Sequence, residues 1–245
     1  MNWANWSGKT RLLVILAACA VLLLCGGSFI TVRVDSGTAP TADTASVKTV
    51  ETGVKAADIK ELTIRGNNSN ITVTTGNVDC VTLELTNFND TYTYNSNFGM
   101  FDLDLGSMAS GLLEITLSDV SVIVPRSAVL SRIDISAGSG NVYFDGVDAG
   151  SIRVRTDSGY IGNSGTLSGS ADVSTDNGNI NLTLKGAEEG YSISADTDYG
   201  SVSVGMHHGF SKSFHFEGAE YSNTNVSGNR IQAHTDYGDI NIDFN

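Results

Sequence analysis

Proline is nearly absent from this 245-residue chain, at two residues against 27 glycines. Turns must therefore come from Gly, Asn, Asp, Ser and Thr, which supply positive φ or hydrogen-bond their own backbone. Cysteine is as scarce. Cys19 and Cys25 fall in an apolar N-terminal segment and Cys80 stands alone beyond it. The remainder cannot close a disulfide on itself and does not rely on a cystine framework. Positive charge is sparse too, with 14 Lys and Arg against 27 Asp and Glu. Lys9, Arg11 and Arg33 lie in the first 33 residues, which hold no acid; 11 basic and 27 acidic residues follow them. A body this acidic repels phosphate backbones and anionic lipid, so nucleic acid is not an expected partner. Helical amphipathic stripes are missing after Val47, which excludes a helical body.

One long apolar run exists. Residues 12–32 carry no charge, and at about 1.5 Å per residue they would span roughly 30 Å, the depth of a bilayer core. A transmembrane helix is expected over residues 12–33, after a short cytoplasmic segment 1–11. Lys9 and Arg11 precede it and Trp3 and Trp6 suit the interface, which argues for a cytoplasmic N-terminus and an extracytoplasmic body. The bilayer would be a partner through 12–33. Ala18-Cys19-Ala20 resembles a signal-peptide cleavage site, but Val21-Leu22-Leu23-Leu24 continues the apolar run. Leu16-Ala17-Ala18-Cys19 resembles a lipoprotein box that would leave only a short apolar region before it. Residues 34–46 read as a flexible spacer that lifts the body off the membrane.

From Val47 onward period-two alternation dominates, as in Ile71-Thr72-Val73, Leu113-Glu114-Ile115-Thr116-Leu117 and Ile180-Asn181-Leu182; such alternation means half-buried strands. A tetrapeptide punctuates them: Thr156-Asp157-Ser158-Gly159, Thr175-Asp176-Asn177-Gly178, Thr197-Asp198-Tyr199-Gly200 and Thr235-Asp236-Tyr237-Gly238, with a looser copy at Ala137-Gly138-Ser139-Gly140. The glycines fall 19, 19, 22 and 38 residues apart. A fixed period near 20 residues signals stacked repeats, each too small to bury its apolar face alone. The expected fold is therefore all-β: a single-stranded β-helix, or β-solenoid, of 19–22-residue coils. Its domain spans 47–245, with irregular coils over 47–124 and regular repeats over 125–245. Val142, Phe144, Ile152, Val154, Ile180, Leu182, Ile193, Val202, Ile231 and Ile240 should face inward. The 38-residue gap should hold one degenerate coil near Phe214, Phe216 and Gly218, and Asn87–Met100 a long loop or irregular coil. The last strand, from Asp239 to Phe244, should be a free edge guarded by Asp239 and Asp243.

Val120-Ser121-Val122-Ile123-Val124-Pro125-Arg126 ends a strand with proline. Leu130 to Ile135, Gly140-Asn141-Val142 and the glycine-turn repeats follow it. This succession resembles the bacterial "putative adhesin" family of domains of unknown function, related to GIN head domains, over roughly residues 50–245. The resemblance implies a β-helix on a membrane-anchored envelope protein and no catalytic residues.

Asp157, Asp176, Asp198 and Asp236 share one repeat position and should stack as a ladder. Clustered carboxylates suit Ca²⁺; the plainer role is a turn in which each Asp bonds backbone N–H two residues on and the glycine supplies positive φ. No cofactor motif is present. The same carboxylates, with Asp134 and Glu114, could serve glycan cleavage only across a cleft, and coils this short offer no long loops to build one. His207, His208, His215 and His234 lack ligand-like spacing. Tyr92, Tyr94, Phe98 and Phe101 suit a cap on one end of the stack, and Cys80 a buried thiol. The expected function is a non-enzymatic, adhesin-like binding or scaffold module of the cell envelope, with wall glycan or another envelope protein as partner. The alternatives are a regulatory partner of an envelope-stress membrane protein and a polysaccharide-degrading β-helix enzyme.

Overall fold

The computed structural model describes residues 28–30, 47–88, 92–106, 118–205, 207–208, 218–225 and 228–245, with backbone alone at 28–30 and 207–208. It is all-β, and the only helical turns among these residues are 3-10 turns at Ala56–Asp58 and Glu188–Gly190. The strands begin with β1 Ser28–Ile30, β2 Val47–Lys55, β3 Glu61–Gly76, β4 Cys80–Thr86, β5 Thr93–Asn97, β6 Met100–Leu105, β7 Ser118–Pro125, β8 Leu130–Ser139 and β9 Val142–Asp145. There follow β10 Ala149–Ser158, β11 Ile161–Ser164, β12 Ser170–Asn177, β13 Ile180–Leu184, β14 Tyr191–Tyr199, β15 Val202–Val204, β16 His207–His208, β17 Ala219–Ser222, β18 Asn229–Tyr237 and β19 Ile240–Phe244.

Each repeat lays a long strand in one sheet, turns a corner at its glycine, and lays a short strand in a second sheet. Parallel register follows the 19-residue period: Ile133 pairs with Ile152 and Ile152 with Ala171, while Val142 pairs with Ile161 and Ile161 with Ile180. The inward residues expected from the alternation are all buried between the sheets. Burying one Val, Leu or Ile stabilises by about 1.5–3 kcal/mol, so the stacked rows make one continuous core.

The stacking order departs from chain order at both ends. β18 lies between β12 and β14, and β19 lies between β13 and β15. The fifth coil is thus inserted between the third and the fourth. At the other end β3 sits between β6 and β8 in the first sheet, and between β7 and β9 in the second. A sequential single-stranded helix is therefore corrected to a parallel stack with two intercalated coils. The 38-residue gap holds no extra coil among the described residues. β16 and β17 run antiparallel to β15 and β14 instead, because no Thr-Asp-x-Gly corner falls between Gly205 and Asn229 to keep the chain parallel. Tyr221 fixes this excursion by donating to Glu188; burial, and then that contact, push its pKa up to about 12. β19 is paired on both sides, so the chain does not end on a free edge. Phe214 and Phe216 lie outside the described residues.

The N-terminal half departs from the regular repeat: β4 runs antiparallel to β2 and to β7, and β5 to β6. β3 alone makes a whole coil, passing from one sheet into the other between Asn68 and Ser69. The segment read as a loop holds the β5–β6 hairpin, closed by Phe98 and Gly99, both at positive φ. Tyr92, Tyr94 and Phe101 are buried there, with Tyr94 stacked on Phe101 at 5.8 Å, while Phe98 points out at 87% exposure. Cys80 is half-buried. Leu113 to Leu117 lies outside the described residues. Ser28–Ile30, placed by the sequence within the apolar helix, is a strand antiparallel to β5. Residues 34–46, read as a spacer, lie outside the described residues. No helix of the described residues is long and apolar enough to cross a membrane, and residues 12–27 lie outside them.

The corner explains the repeat. The threonine of each tetrapeptide is buried and donates its Oγ1 to a glycine carbonyl of a neighbouring coil: Thr175 to Gly159 (3.2 Å), Thr235 to Gly178 (3.0 Å) and Thr197 to Gly238 (2.9 Å). The glycines themselves stack. A Cβ at Gly159 would lie 2.0 Å from Gly140 O, one at Gly178 2.0 Å from Gly159 O, one at Gly238 2.0 Å from Gly178 O, and one at Gly200 1.9 Å from Gly238 O. The expectation of positive φ is borne out at Gly159 and Gly238, not at Gly178. Close approach of backbones, and not φ, excludes a side chain at Gly178. One residue past the corner, side-chain amides and carboxylates continue the ladder: Asn141 N–H donates to Asn70 Oδ1, Tyr160 N–H to Asn141 Oδ1, Asp239 N–H to Asn179 Oδ1 and Ser201 N–H to Asp239 Oδ1.

His234 holds the inserted coil to its neighbour. Its Nδ1 lies 2.6 Å from Asp196 of β14 and its Nε2 3.0 Å from Asp236 of its own strand. Only the imidazolium donates from both nitrogens. Burial opposes the charge, but hydrogen bonds and charge from Asp196, and then from Asp236, outweigh it and raise the pKa above 6.5. A raised folded pKa contributes stability that is full below the ordinary histidine value and fades as pH rises through the folded one. His234→Gln should therefore lower the melting temperature most below pH 6.5 and progressively less above it; a gap that does not change with pH would remove the imidazolium from this role. Gly178→Ala should destabilise by about 1–3 kcal/mol, the usual cost of overpacking, in denaturant unfolding. Gly190→Ala, where a Cβ meets nothing within 4 Å, should stay within about 0.5 kcal/mol of the parent.

Candidate functional site

The corner that turns Thr inward turns the next two residues outward. In stacking order the residue before each glycine is Ser158, Asn177, Tyr237 and Tyr199. Inserting the fifth coil before the fourth brings the two tyrosines together. Their rings lie 4.7 Å apart at an interplanar angle of 5°, and remain 55% and 44% exposed. A second pair, Tyr143 and Tyr160, packs at 5.1 Å. Tyr160 lies over Gly162, where a Cβ would fall 2.4 Å from its ring.

Asp157, Asp176, Asp236 and Asp198 form the expected ladder in that stacking order, beside the tyrosine row. Asp157, Asp176 and Asp198 are exposed and Asp236 is half-buried against His234. The backbone N–H groups two residues on, which these carboxylates were expected to accept from, donate instead to carbonyls of the neighbouring coil, as Gly159 to Asn177, Gly178 to Tyr237 and Gly238 to Tyr199. Among the described residues no three His, Cys, Asp or Glu side chains converge as a metal site requires. Asp134 pairs with Arg132 at 2.6 Å; Glu114, His215 and the side chains of His207 and His208 lie outside the described residues.

Two clefts mark the surface. One, of about 680 Å³, lies beside the β5–β6 hairpin and is lined by Val54, Asp58, Lys60, Tyr94, Asn97 and Phe98 among others. The other, of about 260 Å³, lies on the outer face of the first sheet between Arg132 and Arg230. None of the ladder carboxylates lines either cleft. The tyrosine row offers different chemistry. The two parallel rings, stacked face to face, leave apolar edges and outer π surface exposed, flanked by carboxylates and by Asn177. That combination stacks on a ring bearing C–H bonds and accepts hydrogen bonds from hydroxyls around it.

Sequence reasoning quoted Tyr199 and Tyr237 within the repeats without joining them. Their common position before a repeat glycine was the available signal. Their contact required the stacking order, because sequential coils would have placed Tyr199 beside Asn177.

A search of curated proteins finds no match. Among solved structures, a "putative cell adhesion protein" from Clostridium sporogenes aligns with a TM-score of 0.60 at 14% identity, over 82% of this chain and 100% of that one. A "putative adhesin" from Bacteroides fragilis aligns over 82% of this chain and 97% of that one at 12% identity, with a TM-score of 0.28. The first likeness is one of fold. The family model described as Toastrack DUF4097 matches residues 28–243, and the chain belongs to that family of domains of unknown function.

Proposed function

We propose that this protein is a membrane-anchored, extracytoplasmic, adhesin-like binding module without catalytic activity, and that the tyrosine row at its coil corners takes wall glycan. The stacked, exposed pair Tyr199–Tyr237 carries the reading. Two large rings stacked on each other and still half exposed to water gain when a further apolar surface covers their open faces and edges. The neighbouring carboxylates suit hydroxyl recognition, and they line neither cleft, which supports binding over hydrolysis. The adhesion names given to the similar structures point the same way. For the anchor, the support is the uncharged apolar run over residues 12–32 with Lys9 and Arg11 before it.

The test is retention of the purified full-length protein on insoluble wall polysaccharide. At about 0.5–1.5 kcal/mol for each aromatic stacking contact, the double variant Tyr199→Ala/Tyr237→Ala should bind about tenfold more weakly. Undiminished retention by that variant, or release of reducing sugar by the parent, would overturn the reading.

A further inference from the structure

Arginine is concentrated where the overall charge would not place it. Of the 11 basic residues after residue 33, Arg65, Arg132, Arg153, Arg155 and Arg230 lie on strands of the first sheet. Each alternates there with buried neighbours, so all five face outward. Arg132 of β8 and Arg230 of β18 stand in one row, separated by Ser151 of β10 and Ser170 of β12. At about 4.8 Å per strand their backbones are about 14 Å apart. The serines between them are short, so the row sinks into the 260 Å³ groove. Arg153 rises beside it from β10, and Asp172 is the one acid lining the groove.

The ion pairs leave donors over. Asp172 engages Arg153 through Nε at 3.0 Å and Arg155 at 3.8 Å, and Asp134 takes Nη2 of Arg132. Each guanidinium carries five N–H donors, so Arg132 and Arg153 keep free N–H groups. Arg230 makes no ion pair among the described residues. Three arginines against Asp172 in the lining and Asp134 on Arg132 leave the groove a net positive charge on a protein of net charge −13. At physiological ionic strength the Debye length is about 8 Å, so distant acids are screened while the guanidinium groups act at contact. Arginine forks suit phosphate oxygens, which they bind in pairs. The span from Arg132 to Arg230 exceeds one phosphate and fits several in succession.

We propose that this groove is a binding site for a phosphate-rich polyanion, a chain of closely spaced phosphates lying across β8, β10, β12 and β18 with Arg132, Arg153 and Arg230 as its contacts. The site is separate from the tyrosine row and stands or falls independently of it.

The probe is fluorescently labelled inorganic polyphosphate, followed by anisotropy on the full-length protein in detergent at low and at physiological ionic strength. The parent binds, and Arg153→Ala/Arg230→Ala weakens binding at least tenfold. The control Arg126→Ala/Lys185→Ala removes the same charge from exposed positions outside the groove and changes binding less than twofold. Melting temperatures of both variants confirm that they fold. Free phosphate that competes only at far higher concentration supports a polymer as the ligand; competition at equal phosphate concentration keeps the anion site but assigns it to free phosphate. No binding by the parent at low salt overturns the proposal. So does an equal loss in the control, which would show diffuse electrostatics. Single-stranded DNA bound as tightly as polyphosphate with the same variant dependence would overturn the assigned class.

Discussion

The structure depends on one close approach: at the corners of Gly159, Gly178, Gly238 and Gly200 the backbone of one coil lies against a glycine carbonyl of the next, with no room for a Cβ between them. The buried threonine hydroxyl then donates to a glycine carbonyl across the same gap. A net hydrogen bond of this kind contributes only about 0.5–1.5 kcal/mol. It recurs at successive coils, however, and fixes register there, so that apolar residues land on apolar residues through the core, as Ile152 on Ile133 and Ile161 on Ile180. The tetrapeptide is thus a packing device, with threonine for the inner bond, glycine for the approach, and two outward positions left to vary.

Those outward positions are where function can be written without disturbing the fold. The stack needs nothing of the residue before the glycine, and it can be Ser, Asn or Tyr. Where two tyrosines occupy it on adjacent coils, the shared register forces their rings into a face-to-face pair. The outer face of the first sheet follows the same logic. Inward residues are fixed by the core, outward ones are free, and five arginines collect there on a chain that is otherwise short of positive charge.

The period of 19 residues, the alternation and the inward set were legible in the sequence, because each is a local pattern imposed by the pleat and the corner. The order of coils was not. Nothing in Thr235-Asp236-Tyr237-Gly238 distinguishes a coil stacked on Gly200 from one slipped between Gly178 and Gly200, since every corner offers the same surfaces. For the same reason the 38-residue spacing looked like two periods when its described part is an antiparallel excursion. β3 hid its coil differently: Gly66 to Ser69 carries no Thr-Asp-x-Gly signal, yet the strand changes sheet there and pairs on both sides. The ladder carboxylates share one repeat position as read, but the expected turn bond is not theirs, because the glycine N–H groups donate to carbonyls of the neighbouring coil.

Coil order is the claim on which the tyrosine pair rests, and crosslinking reads it directly. In a chain with Cys19, Cys25 and Cys80 replaced by serine, Asn177→Cys combined with Tyr237→Cys should form a disulfide under mild oxidation, because these residues are backbone partners on adjacent strands within disulfide reach. Asn177→Cys combined with Tyr199→Cys should not, because β18 lies between them. The reverse result, a bond between 177 and 199 and none between 177 and 237, would mean that the coils stack in chain order and that the inserted coil described here is wrong.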